Sequence, residues 1–127
     1  MALYLLERIA EDERVAWEAT SESPGPWVQG DHDVPGWDRD LVYYYSDGRR
    51  WTQFDDESMA AHVARHDPAR VLTECGAKRQ VAWHCLEVLA LGDGGAIDLA
   101  EEVLQRLVQV HADRPDFPPE WLPEVPW

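Results

Sequence analysis

Two imidazoles stand four positions apart in His62-Val63-Ala64-Arg65-His66. On a helix this spacing puts both rings on one face, the arrangement with which zinc peptidases hold their metal. Those peptidases carry a glutamate directly after the first histidine as general base, whereas this chain has Val63 there. The alternative is a helix end, with His62 exposed and His66 in the last turn, where a cationic ring complements the dipole. At 100° per residue His66 falls about 20° from Met59, on the edge of a stripe of Met59, Ala60 and Val63. A third imidazole, His111, lies one turn beyond Leu107 on the stripe of Ala100, Val103, Leu104 and Leu107. Glu13 falls within the apolar arc of the first helical segment, centred near Ala2, Leu6 and Ile9.

A carboxylate taken out of water without a partner is costly or changes protonation, so Glu13 should meet a donor. The candidates are His66, His111, Lys78 and Arg79. An ion pair with Arg79 would lock the first helix onto the third. A place at the exposed rim would need no partner. The more specific chemistry is a carboxylate–histidine centre, Glu13 with His66 and His111 and with His62 as a further ligand. It would hold Zn or another divalent transition metal in a metal-binding protein or a metal-dependent hydrolase.

Other groups are open to two readings. Residues 62–84 hold four basic side chains, Arg65, Arg70, Lys78 and Arg79, against two acidic ones, Asp67 and Glu74. This local excess either docks a phosphate or acidic partner or is consumed internally, for instance by Glu74 with Lys78 at i, i+4. Cys75 and Cys85 are ten positions apart in one expected helix. That is about 15 Å along its axis, too far for a disulfide, so both read as small core hydrophobes. Trp27, Trp37 and Trp51 surround a hairpin, where they either stack a ligand or fill the cross-strand surface. Trp121 and Trp127 could anchor a homodimer through the tail. There is no Cys-x-x-Cys, phosphate-cradling glycine loop or Gly-x-Ser-x-Gly elbow, and no spacing singles out a catalytic residue or a cofactor.

The elements that must position these groups follow from periodicity and breakers. Residues 2–20 read as helix 1, from Leu5, Leu6, Ile9, Ala10, Ala16 and Trp17, and Ser21 to Pro26 stops it. Residues 41–45 and 50–54 read as strands joined through Ser46-Asp47-Gly48-Arg49, a two-residue Asp-Gly turn, with 27–29 as a third strand. Asp55 to Ser58 open helix 2, which runs to about His66. Asp67-Pro68 restarts the chain as helix 3, to about Leu91. Gly92 to Gly95 break it before helix 4 at 96–112. The tail 113–127 holds five prolines and should be turned or extended, with Phe117, Trp121, Leu122 and Trp127 packing back.

Composition bounds the class. The 127 residues carry 25 acidic and 11 basic side chains, a formal charge of −14. That surface disfavours direct nucleic-acid binding and an anionic membrane. No apolar stretch reaches a membrane span, and the first nine residues lack the features of a signal peptide, so a cytoplasmic protein is expected. With 45% hydrophobic residues the chain can build one core, and a single domain over 1–127 is expected.

The block from His62 to Leu72, followed by Glu74, Ala77, Lys78 and Arg79, resembles an uncharacterised family of small proteins. Its members are encoded by actinobacteria, notably streptomycetes, and by their phages. Ile9 to Glu13 resembles the family's N-terminal helix. His111-Ala112-Asp113-Arg114-Pro115-Asp116-Phe117 with Glu120-Trp121 resembles its closing Tyr-Ala-Asp-His-Pro-Asp-Tyr and Glu-Trp. Many relatives carry cysteines after the third helix, which implies a zinc clasp near His84 there. This chain has only His84-Cys85, so no such clasp is expected. The family's closing Tyr is His111 here, and a position that accepts either is more naturally a hydrogen-bond partner than a metal ligand.

The expected fold is mainly α (α+β), a three- to four-helix bundle with a small antiparallel hairpin and a Pro-rich tail. The expected role is a non-enzymatic accessory protein steered to a basic protein partner by its charge. Glu13, Arg65, His66, Asp67, Arg70, Lys78, Arg79, His111 and Trp121 are the residues expected to matter to structure or interaction.

Overall fold

The structure is a computed structural model that describes residues 1–23, 26–30, 38–44 and 51–124. Its elements are α1 (Ala2–Glu22), β1 (Val28–Gln29), β2 (Leu41–Tyr43), β3 (Trp51–Gln53), α2 (Glu57–Arg65), α3 (Pro68–Leu91) and α4 (Gly94–Val108). Single 3-10 turns follow at Gln109–His111 and Pro119–Trp121. The fold is mainly α with a small antiparallel sheet, as expected. No helix among the described residues is long and apolar enough to cross a membrane. The chain divides into two compact units, Met1–Glu11 with Cys75–Trp127, and Asp12–Glu74.

The first unit takes the start of α1, most of α3, all of α4 and the tail. Leu5, Ile9, Leu104 and Val108 are its fully buried large side chains, with Cys75, Ala82, Cys85, Ala100 and Phe117 beside them. Each large one contributes about 1.5–3 kcal/mol by leaving water. Both cysteines are buried thiols outside any disulfide, as core hydrophobes should be. Gly92 ends α3, its N–H reaching the Val88 carbonyl at 2.7 Å. A Cβ at Gly92 would meet that oxygen at 2.6 Å, so only glycine fits. The next residue, Asp93, accepts the Ala96 N–H at 2.9 Å and caps α4. This cap moves the start of the helix to Gly94, ahead of the expected 96. At the other end the α pattern stops at Val108 and tightens into the 3-10 turn.

The second unit builds the sheet, in the order β1-β2-β3, all antiparallel. Central β2 is buried along its length, Val42 completely, which explains its unbroken apolar run. α2 packs on β1 and β2 through the fully buried Ala60. Tyr44 donates to Thr52 Oγ1 at 2.6 Å, a cross-strand tie. A two-residue turn at Asp47-Gly48 would put Tyr44 opposite Trp51. The observed partner of Trp51 is Tyr43, a register one residue away. The turn itself, Ser46–Arg49, lies outside the described residues, as do Trp37, Trp127 and the Pro24-Gly25 stop.

Two stripes differ from expectation. The buried arc of α1 runs through Ala2, Leu5, Ile9 and Ala16, while Ala10 is exposed and Trp17 is 60% exposed. The arc is rotated towards Leu5 and Ala16, which leaves Glu13 half-buried at its edge. On α2 Met59 is exposed and Ala60 faces the sheet, because a small residue lets the helix approach the strands closely.

Candidate functional site

In the first unit, α1 presents Tyr4, Arg8 and Glu11 at steps of four and three, hence along one face. The tail returns Arg114 and Asp116 to them. Tyr4 donates its hydroxyl to Asp116 Oδ1 at 2.9 Å, and Arg8 Nη1 donates to Asp116 Oδ2 at 3.2 Å. Arg8 Nη2 lies 3.3 Å from Glu11 Oε1, and Arg114 Nη2 lies 3.1 Å from Glu11 Oε2. Arg114 Nε approaches Asp116 Oδ1 at 3.6 Å and closes a four-membered ring of alternating charge. Arg8 also lies over the Tyr4 ring, 5.1 Å from its centroid, with only 12% of its side chain exposed. Its Nε and that of Arg114 are buried without a hydrogen bond among the described residues.

Electrostatics follow the geometry. The Tyr4 hydroxyl, then the two guanidinium groups, hold the Asp116 carboxyl below its ordinary range despite burial. Burial, then the bond to Asp116, pushes the Tyr4 phenol up. Burial pulls the Arg114 guanidinium down, but Glu11 and Asp116 outweigh it and its affinity for the proton rises. An aromatic cluster backs the ring: Tyr4 meets His111, Phe117 and Trp121 edge-on at 6.4, 6.0 and 5.3 Å. Gln105 and Gln109 both donate to the Trp121 carbonyl, at 3.3 and 2.6 Å. Trp121 is thus engaged inside its own unit. The chemistry of the ring is that of a clasp for the tail.

The second unit shows the opposite arrangement. Asp38, Arg39, Asp40, Asp55, Asp56 and Glu57 line an open cleft of about 430 Å³. Register dictates their meeting: Leu41 opposes Gln53, and Phe54 N–H continues the ladder to the Asp40 carbonyl at 2.8 Å. The residues before β2 and after β3 must therefore converge at one end of the pair. Asp56 caps α2 through the Met59 N–H at 2.8 Å, and Asp40 accepts from Gln53 at 2.8 Å. Arg39 Nε reaches Glu57 at 3.3 Å. Among the described residues, five carboxylates thus line the cleft beside one guanidinium.

The segment expected to carry chemistry is chiefly an interhelical joint. His66 is the C-cap of α2, and its Nδ1 lies 2.7 Å from the His62 carbonyl, with the two rings 4.4 Å apart. Asp67 accepts the Arg70 N–H at 2.9 Å, with Pro68 next as expected for a helix start. Arg70 donates to the Arg65 carbonyl at 3.1 Å and to Glu74 at 2.9 Å. Glu74 thus has an i, i+4 partner in Arg70, on its N-terminal side. Lys78 and Arg79 are half-buried on α3, Glu13 is half-buried on α1, and His111 is buried in the 3-10 turn. Among the described residues no group of three or more His, Cys, Asp or Glu is placed to hold a metal ion.

Sequence reasoning missed both polar constellations. The available signals were the Tyr4, Arg8, Glu11 spacing and the acids immediately flanking β2 and β3. Residues 1–123 match the model of a protein family of unknown function. No curated protein and no solved structure matches the chain.

Proposed function

The chain belongs to the DUF6221 family of unknown function, and from its surface we propose that it is a small acidic interaction protein that binds a basic protein partner. One observation carries this reading: among the described residues, five carboxylates gather at one open end of the sheet beside one guanidinium. Four cations elsewhere are paired with acids of their own neighbourhood, Arg8 and Arg114 in the ring, Arg70 with Glu74 and Arg106 with Glu102. The acids of the cleft keep a field directed outward, which speeds encounter with a positive surface and repels phosphate backbones. The setting that fits is the cytoplasm of an actinobacterium or of a phage-infected one. A pull-down with the full chain is expected to retain basic proteins, with retention falling as salt rises and falling further for the Asp38→Asn, Asp55→Asn double variant. A salt-insensitive partner, or none, overturns the reading.

The second reading, a metal-binding protein or metal-dependent hydrolase using Glu13, His62, His66 and His111, has the stacked i, i+4 imidazoles in its favour. Dialysis against zinc separates the two. Uptake below about a tenth of an equivalent, with no change in melting, removes the metal reading.

A further inference from the structure

A second cavity in the Asp12–Glu74 unit, of about 270 Å³, is chiefly apolar, with Val15, Ala16, Trp27 and Val71 in its walls. Among the described residues two charged or imidazole side chains line it, Asp12 and His66. His66 Nδ1 faces the His62 carbonyl at 2.7 Å. A carbonyl can only accept, so Nδ1 carries the hydrogen and the neutral ring keeps its lone pair on Nε2. The Trp27 indole N–H is likewise committed, donating to the Ser23 carbonyl at 3.0 Å, and Tyr44 packs edge-on to its ring at 5.2 Å. Trp27 therefore offers its surroundings a fixed π surface. A carboxylate, an imidazole lone pair and an indole face all attract positive charge, and among the described residues no Arg or Lys lines the cavity. The hydrocarbon walls call for an apolar stem behind that charge. The volume is below the roughly 300–1,000 Å³ of sites for drug-sized ligands, and suits a single side chain.

We propose that this cavity takes one arginine or lysine side chain of the basic partner, its methylenes against Val15, Ala16 and Val71 and its charge towards Asp12 and His66. The assignment rests on the interaction reading above and names the anchor within it. Asp12 supplies attraction, His66 an acceptor, and Trp27 a flat surface suited to stacking a guanidinium.

The test uses the full-length ¹⁵N-labelled protein and n-butylguanidinium, with n-butylurea as its uncharged counterpart. The readout is the Trp27 indole N–H resonance, identified by its loss in Trp27→Phe. The guanidinium is expected to shift it saturably and the urea to leave it in place. Asp12→Asn is expected to weaken the response by about threefold or more, whereas Asp98→Asn, an equal change of charge on α4, leaves it unaltered. Absence of a saturable shift overturns the assignment, as does an equal response to the urea or equal weakening by both variants. The two readings fail separately. A salt-sensitive basic partner recovered with no probe binding sinks the anchor and spares the interaction. Probe binding with no partner recovered makes the cavity a site for a free organic cation and sinks the side-chain assignment.

Discussion

The ring of Arg8, Glu11, Arg114 and Asp116 and the cleft of Asp38, Asp40, Asp55, Asp56 and Glu57 use the same side-chain chemistry to opposite ends. In the ring each acid meets two guanidinium groups and each guanidinium two acids, and the charges cancel within one turn of helix and one turn of tail. In the cleft, among the described residues, one guanidinium lies among five acids and pairs with Glu57, while Asp38, Asp55 and Asp56 are exposed. Paired charges hold a chain segment in place; an excess of one sign acts at a distance. The net charge of −14 is therefore not spread evenly in its consequences. It is neutralised where the tail is fastened and left standing at the end of the sheet.

The sharpest way to break this contrast is to remove one arginine from each place. Arg8→Met takes a nearly buried cation from between two acids and should cost about 2 kcal/mol in urea denaturation, below the full value for a buried pair because its partners are partly exposed. Arg39→Met removes a 42% exposed side chain and should cost under about 1 kcal/mol. Equal losses would erase the distinction.

A smaller effect should appear on acidification. The folded Asp116 carboxyl titrates below its unfolded range. Its contribution is thus fully present above about pH 4 and is lost as pH falls through the depressed folded value. The parent protein should lose more melting temperature between pH 5 and pH 2 than Asp116→Asn does. Parallel curves would show that the ring contributes no linkage.

The smallest effect on stability belongs to the cleft acids that cap nothing. Asp38→Asn and Asp55→Asn should leave the unfolding free energy within about 0.5 kcal/mol of the parent, while lowering retention of basic proteins. A large destabilisation would mean that these carboxylates are structural after all.

Much of the fold was legible because its signals are local. Asp67-Pro68 and Gly92 delimit α3 at the residues expected, since a cap, a fixed φ and a missing Cβ act within one turn. The return of the tail was legible in its aromatics, and Phe117 is buried. The ring was not legible, because Tyr4 and Asp116 are 112 residues apart and periodicity ranks apolar positions only. Arg114 and Asp116 lie within the closing block of the family resemblance, and of their partners on α1 only Glu11 lies in the part of the helix that resembles it, with Tyr4 and Arg8 outside it. The cleft was missed for another reason. Its acids read as a helix start and a loop until the pairing of Leu41 with Gln53 brings them together. The histidines show the reverse: a spacing with a known chemical use serves here to end one helix, with the ring of His66 folded back on its own backbone.

The double hold on the Trp121 carbonyl has a consequence for how the protein ages under exopeptidases. Gln105 and Gln109 sit one helical turn apart and converge on a single oxygen. Trimming that halts at Trp121 leaves this grip whole. One step further removes the oxygen and the indole together, strands two amides, and uncovers the face of Tyr4. Cleavage products ending on either side of Trp121 should therefore differ abruptly in lifetime, although they differ by one residue in mass.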